Sequence, residues 1–221
     1  TTAGTRLLAD LEAGRGSSSP RDFFASSRGQ ALFAAFDSSV GVEPRISDAT
    51  TAGTRLLADV SINAPGASPS SRPGRFVDLL VGLTVFAADD GVHGREPWVT
   101  DGRAGGTRLL ADVNPSGDSN PGNFAVSAGR AYFSANDGWD GYELWATDGT
   151  PAGTRRVADI YPYTIGSFPR EITPFLGGVA FAATGPTGGN EPWFSDGTAA
   201  GTRRIADLVP GAAGSSPSRF S

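Results

Sequence analysis

A twelve-residue stretch that returns at a nearly constant interval constrains this chain more than any other feature. Its clearest copies are Glu96–Thr107, Glu143–Thr154 and Glu191–Thr202, and a more divergent copy is Glu43–Thr54. The threonines that close these stretches, counted from Thr5 in a shortened first copy, are separated by 49, 53, 47 and 48 residues. A repeat of this length indicates stacked supersecondary units, because one such unit cannot bury its apolar surface alone.

Composition narrows the class of protein further. The chain has 31 glycines and 16 prolines among 221 residues, and regular apolar runs lie between the Gly/Pro clusters, which favours many turns between short strands. A net charge of −5 argues against a nucleic-acid partner, which would require a basic surface. The absence of cysteine excludes disulfides, a thiolate nucleophile and cysteine metal sites. No apolar run reaches the roughly 18 residues of a membrane span.

Each repeat contains four strand-like segments. In the third unit they are residues 123–128, 131–135, 142–146 and 154–160, separated by short runs rich in Gly, Asp and Asn. No stretch keeps a helical period over the length of a helix. Four antiparallel strands in about 48 residues are typical of a β-propeller blade, so the sequence predicts an all-β propeller.

Aligned residues define the blades. A phenylalanine followed two residues later by alanine marks every second strand, at Phe33, Phe86, Phe133 and Phe181. We expect one propeller-type domain over residues 1–221, with whole blades at about 22–60, 75–113, 123–160 and 171–208. Residues 1–11 are predicted to be the last strand of a preceding blade, and 217–221 the start of a following one. Taken together, these two end segments correspond to parts of a fifth unit that lacks counterparts of residues 126–149. We therefore expect an incomplete ring, completed by further blades or by another chain.

The repeated stretch carries a family resemblance. Residues 143–150, Glu-Leu-Trp-Ala-Thr-Asp-Gly-Thr, match the signature of the bacterial ELWxxDGT repeat family at every specified position. Residues 191–198 differ only in proline for leucine, residues 96–103 also lose the last threonine, and residues 43–50 are the most divergent. The resemblance implies a propeller-like protein that is secreted or attached to the bacterial surface, and it implies no particular activity.

Most recurring residues have a structural interpretation. The aspartates of the Asp-Gly turns, such as Asp148, are expected to accept hydrogen bonds from turn amides. The recurring glutamates and arginines, such as Glu143 and Arg155, are expected to form a ladder of ion pairs between strands or between blades. The repeated tryptophans, such as Trp145, are expected to pack between blades. The fourth strand is expected to alternate, with Leu109, Ala111 and Val113 on one face.

Residues that vary on this constant frame are the candidates for function. The loops 89–95, 136–142 and 184–190 differ among units, and they contain Trp139, Tyr142 and His93 as candidate ligand-binding residues. Asp137, Asp140 and Glu143 place oxygen atoms at near-alternate positions, as calcium loops do, so calcium is the one cofactor that the sequence suggests. His93 is the only histidine and cannot complete a two-histidine zinc site.

These observations predict a non-catalytic extracellular binding or scaffolding module that presents its loops to a protein or glycan ligand. One alternative is a purely structural repeat of a surface appendage or assembly, in which the chain would associate with further copies of itself. A second alternative is the scaffold of a glycan-active hydrolase or lyase, which would require convergent carboxylates that the sequence does not display.

Overall fold

The computed structural model describes residues 4–14, 16–61, 70–79, 82–162, 164–186, 189–211, 213–218 and 220, and it is all-β as predicted. Four sheets of four antiparallel strands follow one another along the chain, and in each sheet neighbouring strands are consecutive in sequence. In the described parts of the chain, no helix has the length and apolar character needed to cross a membrane. The predicted propeller-like arrangement of four-stranded blades is confirmed.

The blades have nearly identical strand lengths. The first strand of each blade has five or six residues, the second has seven, the third has six or seven, and the fourth has two to four. The first blade comprises β1 Arg21–Ala25, β2 Ala31–Asp37, β3 Gly41–Ser47 and β4 Arg55–Leu56; the second β5 Gly74–Leu79, β6 Leu83–Asp89, β7 Arg95–Thr100 and β8 Arg108–Leu109; the third β9 Gly122–Ser127, β10 Arg130–Asn136, β11 Tyr142–Thr147 and β12 Arg155–Ala158; and the fourth β13 Arg170–Phe175, β14 Gly178–Thr184, β15 Asn190–Ser195 and β16 Arg203–Arg204.

The core lies between successive blades. Phe76 and Phe86 of the second blade pack against Leu32 and Ile46 of the first. The same arrangement joins the third and fourth blades, where Phe181 is fully buried. The repeated tryptophans take part in these clusters, which confirms their predicted packing role. The first strands β1, β5, β9 and β13 are neighbours from blade to blade, so they form the inner side of the array.

The fourth strands are shorter than predicted, and their alternation is wrong. Leu110 is 1% exposed and Val113 6%, whereas Leu109 and Ala111 are only half-buried. In the third blade the ladder pairs Trp145 with Arg156 and Leu144 with Ala158, so one residue is skipped. This bulge turns the residue between them toward the next blade, which a simple period of two cannot anticipate.

The predicted partial blades at the two ends do not form strands. Residues 4–11 contain no strand, and neither do 217, 218 and 220; residues 1–3, 219 and 221 lie outside the described part of the chain. Residues 7–11 instead lie against the first blade and line a cavity there. A strand needs a hydrogen-bonded neighbour, and the third strand that would pair with residues 5–8 is not among the described residues.

The Asp-Gly turns are structural, as expected. The Oδ1 atom of Asp148 accepts hydrogen bonds from the Thr150 amide at 2.9 Å and the Thr150 hydroxyl at 2.6 Å. These bonds lower the pKa of Asp148. The Thr150 hydroxyl in turn accepts a hydrogen bond from the Gly153 amide at 3.0 Å. The first and fourth blades repeat this network around Asp48 and Asp196.

Substituting Gly153 by alanine should disrupt this turn. A Cβ atom at this position would lie 2.0 Å from Asp148 Oδ1, so the carboxylate would have to rotate away from its two donors. We expect Gly153→Ala to lower the free energy of unfolding by about 1–3 kcal/mol, measured by urea denaturation. Gly117→Ala is the control, because no atom lies within 4 Å of its added Cβ. Equal stability of the two variants would contradict this assignment.

Candidate functional site

The recurring glutamates join the blades and do not pair with arginine, which corrects the prediction. Glu96 is fully buried, and its carboxylate accepts hydrogen bonds from the Val113 amide at 2.8 Å, the Ser119 amide at 2.8 Å and the Ser119 hydroxyl at 2.7 Å. The donors belong to the segment that follows the fourth strand and to the linker that enters the next blade. We name this arrangement the carboxylate clasp; its other members are Glu43 with Ser71, Glu143 with Ser167, and Glu191 with Ser215.

The recurring arginines also reach across blades. Arg55 Nη2 donates to the carbonyl oxygen of Gly102 at 2.9 Å, and Arg155 Nη2 donates to that of Gly197 at 3.1 Å. Arg108 makes the same contact with Gly149 at 3.3 Å. Each arginine therefore fastens its own blade to the Asp-Gly turn of the next one, and together with the clasps these contacts hold the array in register.

Burial changes the acidity of the clasps. Desolvation raises the pKa of Glu43 and of Glu96 to about 7, against the opposing effect of the hydrogen bonds from Ser71 and Ser119. Glu191 has the same set of donors, yet its pKa is lowered, chiefly by the hydrogen bond from Ser215. Its carboxylate is shielded from direct contact with water, but it lies in the last blade, where less protein surrounds it. The surrounding blades therefore cause the rise.

Stability should fall as the pH rises between 4.5 and 7. In that window the folded clasp holds a proton that the unfolded chain has already released, because the pKa of Glu96 rises from 4.5 to about 7 on folding. The loss is up to about 3 kcal/mol for each such glutamate, at about 1.4 kcal/mol per pKa unit. Asp148, whose pKa is lowered, titrates below this window. Urea denaturation at pH 5 and pH 8 measures the loss. A free energy of unfolding that is equal or higher at pH 8 would contradict the assignment.

The predicted ligand-binding residues occupy separate places on neighbouring blades. His93 lies in the turn between β6 and β7, where its Nδ1 atom is 2.7 Å from Asp90 Oδ2, and this contact raises the pKa of His93. Trp139 lies in the corresponding turn of the third blade and is 70% exposed. Tyr142 begins β11 and stacks on Phe168, with ring centroids 5.4 Å apart.

The three predicted calcium ligands are not brought together. Both carboxylate oxygens of Glu143 accept hydrogen bonds within the clasp, and the side chain is fully buried. Asp137 and Asp140 both form ion pairs with Arg156. No group of three or more acidic or histidine side chains suited to a metal ion occurs in the described part of the chain.

A cavity that the sequence did not predict lies at the inner end of the first two blades. It has a volume of about 560 Å³ and is lined by Arg21, Asp22, Arg72, Pro73, Gly74, Arg75 and Arg95. Four of these seven residues are arginines and one is an acid, although the whole chain is acidic. The cavity is therefore locally cationic.

The arginines of this cavity influence one another. Burial lowers the pKa of Arg95, and the positive charges of Arg75 and Arg72 lower it further. Arg95 Nη1 donates to the carbonyl oxygen of Arg72 at 2.5 Å, which orients its guanidinium toward the cavity wall. Arg72 has Asp89 as a partner at 3.3 Å, whereas Arg75 has no acidic group within 4 Å among the described residues. An anion would relieve this repulsion and supply the missing acceptor.

A second cavity shares Arg75 with the first as a lining residue. It has a volume of about 270 Å³, and Arg75, Tyr142, Phe168 and Arg170 are among the residues that line it. Phe168 is 46% exposed, so the Tyr142–Phe168 stack offers an accessible ring beside two guanidinium groups. Of the three predicted ligand-binding residues, Tyr142 lies in this wall.

The backbone at this end is specialised in every blade. The second residue of each first strand has a left-handed conformation, with φ between 54° and 59°, although none of the four is glycine. These residues are Asp22, Arg75, Asn123 and Glu171. Such conformations cost energy in a non-glycine residue and persist where the surrounding structure imposes them. The residue type at this aligned position differs in every blade, and that variation is the sequence signal that could have located the site.

The residues that line this cavity are suited to contact an anion. Charge-assisted hydrogen bonds from guanidinium groups suit carboxylate, sulfate or phosphate groups. Glycoside hydrolysis commonly uses two carboxyl groups about 5–10 Å apart, and Asp22 is the single acid among the residues that line the first cavity. Asp22 also pairs with Arg21, with its Oδ2 atom 3.8 Å from Arg21 Nε.

No family model and no curated protein matches this chain. Among solved structures it is similar to puromycin hydrolase, with a TM-score of 0.55 and 18% identity over 89% of this chain and 30% of that one. A puromycin hydrolase mutant complexed with PGG gives a TM-score of 0.54 and 19% identity over 94% and 32%. An acylaminoacyl peptidase from Pyrococcus horikoshii gives 0.51 and 11% over 86% and 27%.

These similarities show a shared fold. The chain spans about a third or less of the length of the three structures. The fold of this chain therefore also occurs within hydrolase and peptidase chains, and at identities below 20% their activities do not extend to it.

Proposed function

We propose that this chain is a non-catalytic extracellular binding module that recognises an anionic glycan at the arginine-lined cavity. The observation that carries the proposal is the convergence of Arg72, Arg75 and Arg95 on one cavity of about 560 Å³. The extracellular setting follows from the resemblance of residues 143–150 to the ELWxxDGT repeat. Calcium has no role in the proposal.

A glycan suits the site better than a small inorganic anion. Arg75 lines both this cavity and the second one, where Phe168 is accessible. Aromatic rings contact the apolar faces of sugars, and guanidinium groups bind their carboxylate or sulfate substituents. An extended acidic oligosaccharide could therefore occupy both cavities at once. A neutral sugar would leave the repulsion among the arginines uncompensated.

Binding of oligogalacturonate tests this proposal by titration calorimetry. We expect Arg75→Ala to weaken the affinity about 10- to 100-fold, because a hydrogen bond to a charged group contributes about 1.5–3 kcal/mol. Arg103→Ala is the matched control, since this exposed arginine lies in the Asp-Gly turn of the second blade and lines neither cavity. Equal affinity of the two variants, or equal binding of a neutral oligosaccharide, would overturn the proposal.

A second candidate is the non-catalytic part of a larger hydrolase. The similarity to puromycin hydrolase and to an acylaminoacyl peptidase, of which the match covers 27–32%, favours it. The 221-residue chain alone would then be inactive on an aminoacyl p-nitroanilide, since among the described residues no serine or threonine hydroxyl is hydrogen-bonded to the ring of its single histidine. Hydrolysis by the chain alone that is abolished in His93→Ala would contradict both candidates.

A further inference from the structure

The first blade has an apolar surface that no described residue covers. A cavity of about 520 Å³ lies there, and its apolar walls include Leu7, Leu8, Leu11, Phe23 and Phe33. Leu7 is 80% exposed and Phe23 is 65% exposed, although Phe23 stacks on Phe33 with ring centroids 5.1 Å apart. We call this surface, comprising these five residues, the leading surface. It lies on the side of the first blade opposite the second blade.

The inner interfaces show what such a surface normally contacts. Between the first and second blades, Phe76 and Phe86 occupy the positions of Phe23 and Phe33, and they pack on four residues of the preceding blade. Those four are Leu32 from the second strand, Ile46 from the third strand, and Leu57 and Val60 from the segment that follows the fourth strand.

Two of these four contacts are already supplied at the leading surface. Leu8 and Leu11 stand three and six residues after Thr5, as Leu57 and Val60 do after Thr54. Both line the cavity beside Phe23. No described residue takes the places of Leu32 and Ile46, so the cavity has the position of a second and a third strand. A whole additional blade would not fit, because its own fourth strand would coincide with residues 5–11.

The polar contacts indicate the same occupant. The carbonyl oxygen of Ser18 accepts a hydrogen bond from the Phe36 amide at 2.8 Å, as that of Ser119 does from the Asn136 amide at 2.9 Å. Ser18 therefore occupies, before the first blade, the position that Ser119 occupies before the third. In every clasp the serine amide and hydroxyl donate to a glutamate on a third strand. No carboxylate meets the amide or hydroxyl of Ser18 in the described part of the chain.

We propose that the leading surface is the docking site of a β-hairpin of the repeat's own kind. Its first strand carries the Phe-x-Ala pattern, and its second strand begins with a glutamate that accepts hydrogen bonds from Ser18. Residues 5–11 become the fourth strand of the completed blade. The interaction is therefore a two-stranded addition to an incomplete blade, which combines backbone pairing, apolar burial and one carboxylate clasp.

Ala49 restricts which hairpin fits. The equivalent residues Gly102, Gly149 and Gly197 touch the preceding blade, and a Cβ at Gly149 would lie 2.7 Å from Leu83 Cδ1. A Cβ at Gly197 would lie 2.6 Å from the Tyr132 hydroxyl. Ala49 carries that Cβ and lines the cavity. The docking hairpin therefore needs small residues at the positions that face Ala49. The hairpin of the fourth blade has small residues there, Gly178 and Ala180. The hairpin of the third blade has large ones, Arg130 and Tyr132.

Two synthetic hairpin peptides test the proposal against the full chain. The peptide of residues 177–196 should bind at least tenfold more tightly than the peptide of residues 129–148, and Ala49→Gly in the chain should reduce this difference. Glu191→Ala in the first peptide should weaken binding about tenfold or more, because it removes the acceptor for Ser18. Amide NMR signals of Ser18 and Leu11 should shift on binding.

Variants of the chain keep the test specific. Phe23→Ala should abolish binding without unfolding the protein, since this ring is largely exposed. Phe175→Ala is the matched control, because this ring is 47% exposed on the fourth blade. No detectable binding of either peptide would overturn the proposal. Equal loss in the two variants, or self-association of the chain that buries Phe23 without peptide, would also overturn it.

Discussion

Replacing Glu96 by alanine should lower the free energy of unfolding by about 3–5 kcal/mol, a large part of the roughly 5–15 kcal/mol by which folded domains are usually stable. The substitution removes the acceptor of three hydrogen bonds, so the amides of Val113 and Ser119 lose their partner and the Ser119 hydroxyl keeps only the carbonyl oxygen of Arg95, at 3.2 Å. An unsatisfied buried polar group costs about 1–3 kcal/mol. Urea denaturation followed by tryptophan fluorescence measures the loss.

Two matched variants distinguish the stability lost with the clasp from the effect of removing a negative charge. Asp112→Ala removes a nearby exposed acid and should leave stability within about 0.5 kcal/mol of the parent chain. Ser119→Ala removes the hydroxyl donor and keeps the amide, so a loss of about 1 kcal/mol is expected. A Glu96→Ala variant as stable as Asp112→Ala would contradict the role assigned to the clasp.

Replacing Phe86 by alanine should cost about 3–5 kcal/mol, since the removed ring leaves a cavity between two blades. Phe86 is fully buried and contacts Phe76 at a centroid distance of 5.3 Å, within the cluster that includes Leu32 and Ile46 of the first blade. The loss therefore includes the packing between blades as well as that within one blade.

The equivalent residue of the first blade is the control. Phe33→Ala should cost at least about 1 kcal/mol less than Phe86→Ala, because the positions of Leu32 and Ile46 have no counterpart on its outer side. Thermal and urea denaturation of the two variants give the comparison. Equal losses would mean that the blades do not stabilise one another through these rings, which would contradict the packing described above.

The strands and turns could be predicted from the sequence because they depend on neighbouring residues. The pattern of Phe133 and Ala135 has the period of a strand, and β10 runs through both. Asp148 accepts from a residue two positions along, which is a local property of the turn. The repeat of about 48 residues then extended these local predictions to every blade.

The contacts between blades could not be predicted in this way. Ser119 is 23 residues from Glu96, and only the packing of one blade on the next brings them together. Without that geometry, the nearest recurring cation, Arg108, was the natural but wrong partner. The bulge at Val157 could not be predicted from the sequence either, because it changes only the pairing between the third and fourth strands and leaves no change in residue type.

The candidate site was predicted only in part, for the same reason. A large aromatic residue in a turn favours a ligand-binding role, so the sequence indicates Trp139, and this residue is exposed. Tyr142 lies in the wall of a cavity. The cationic cavity draws Arg21 from the first blade and Arg75 and Arg95 from two strands of the second. These residues share no motif, and only the alignment of first strands along the inner side of the array collects them.

The most direct test of the account is native-state hydrogen exchange at the clasp amides. If buried carboxylates lock successive blades into one array, the amides of Ser119 and Ser167, each 2.8 Å from a glutamate oxygen, should exchange only on global unfolding. Their protection should match that of the amides within β10. Exchange of these serine amides at the rate of the exposed turn at Trp139 would contradict it.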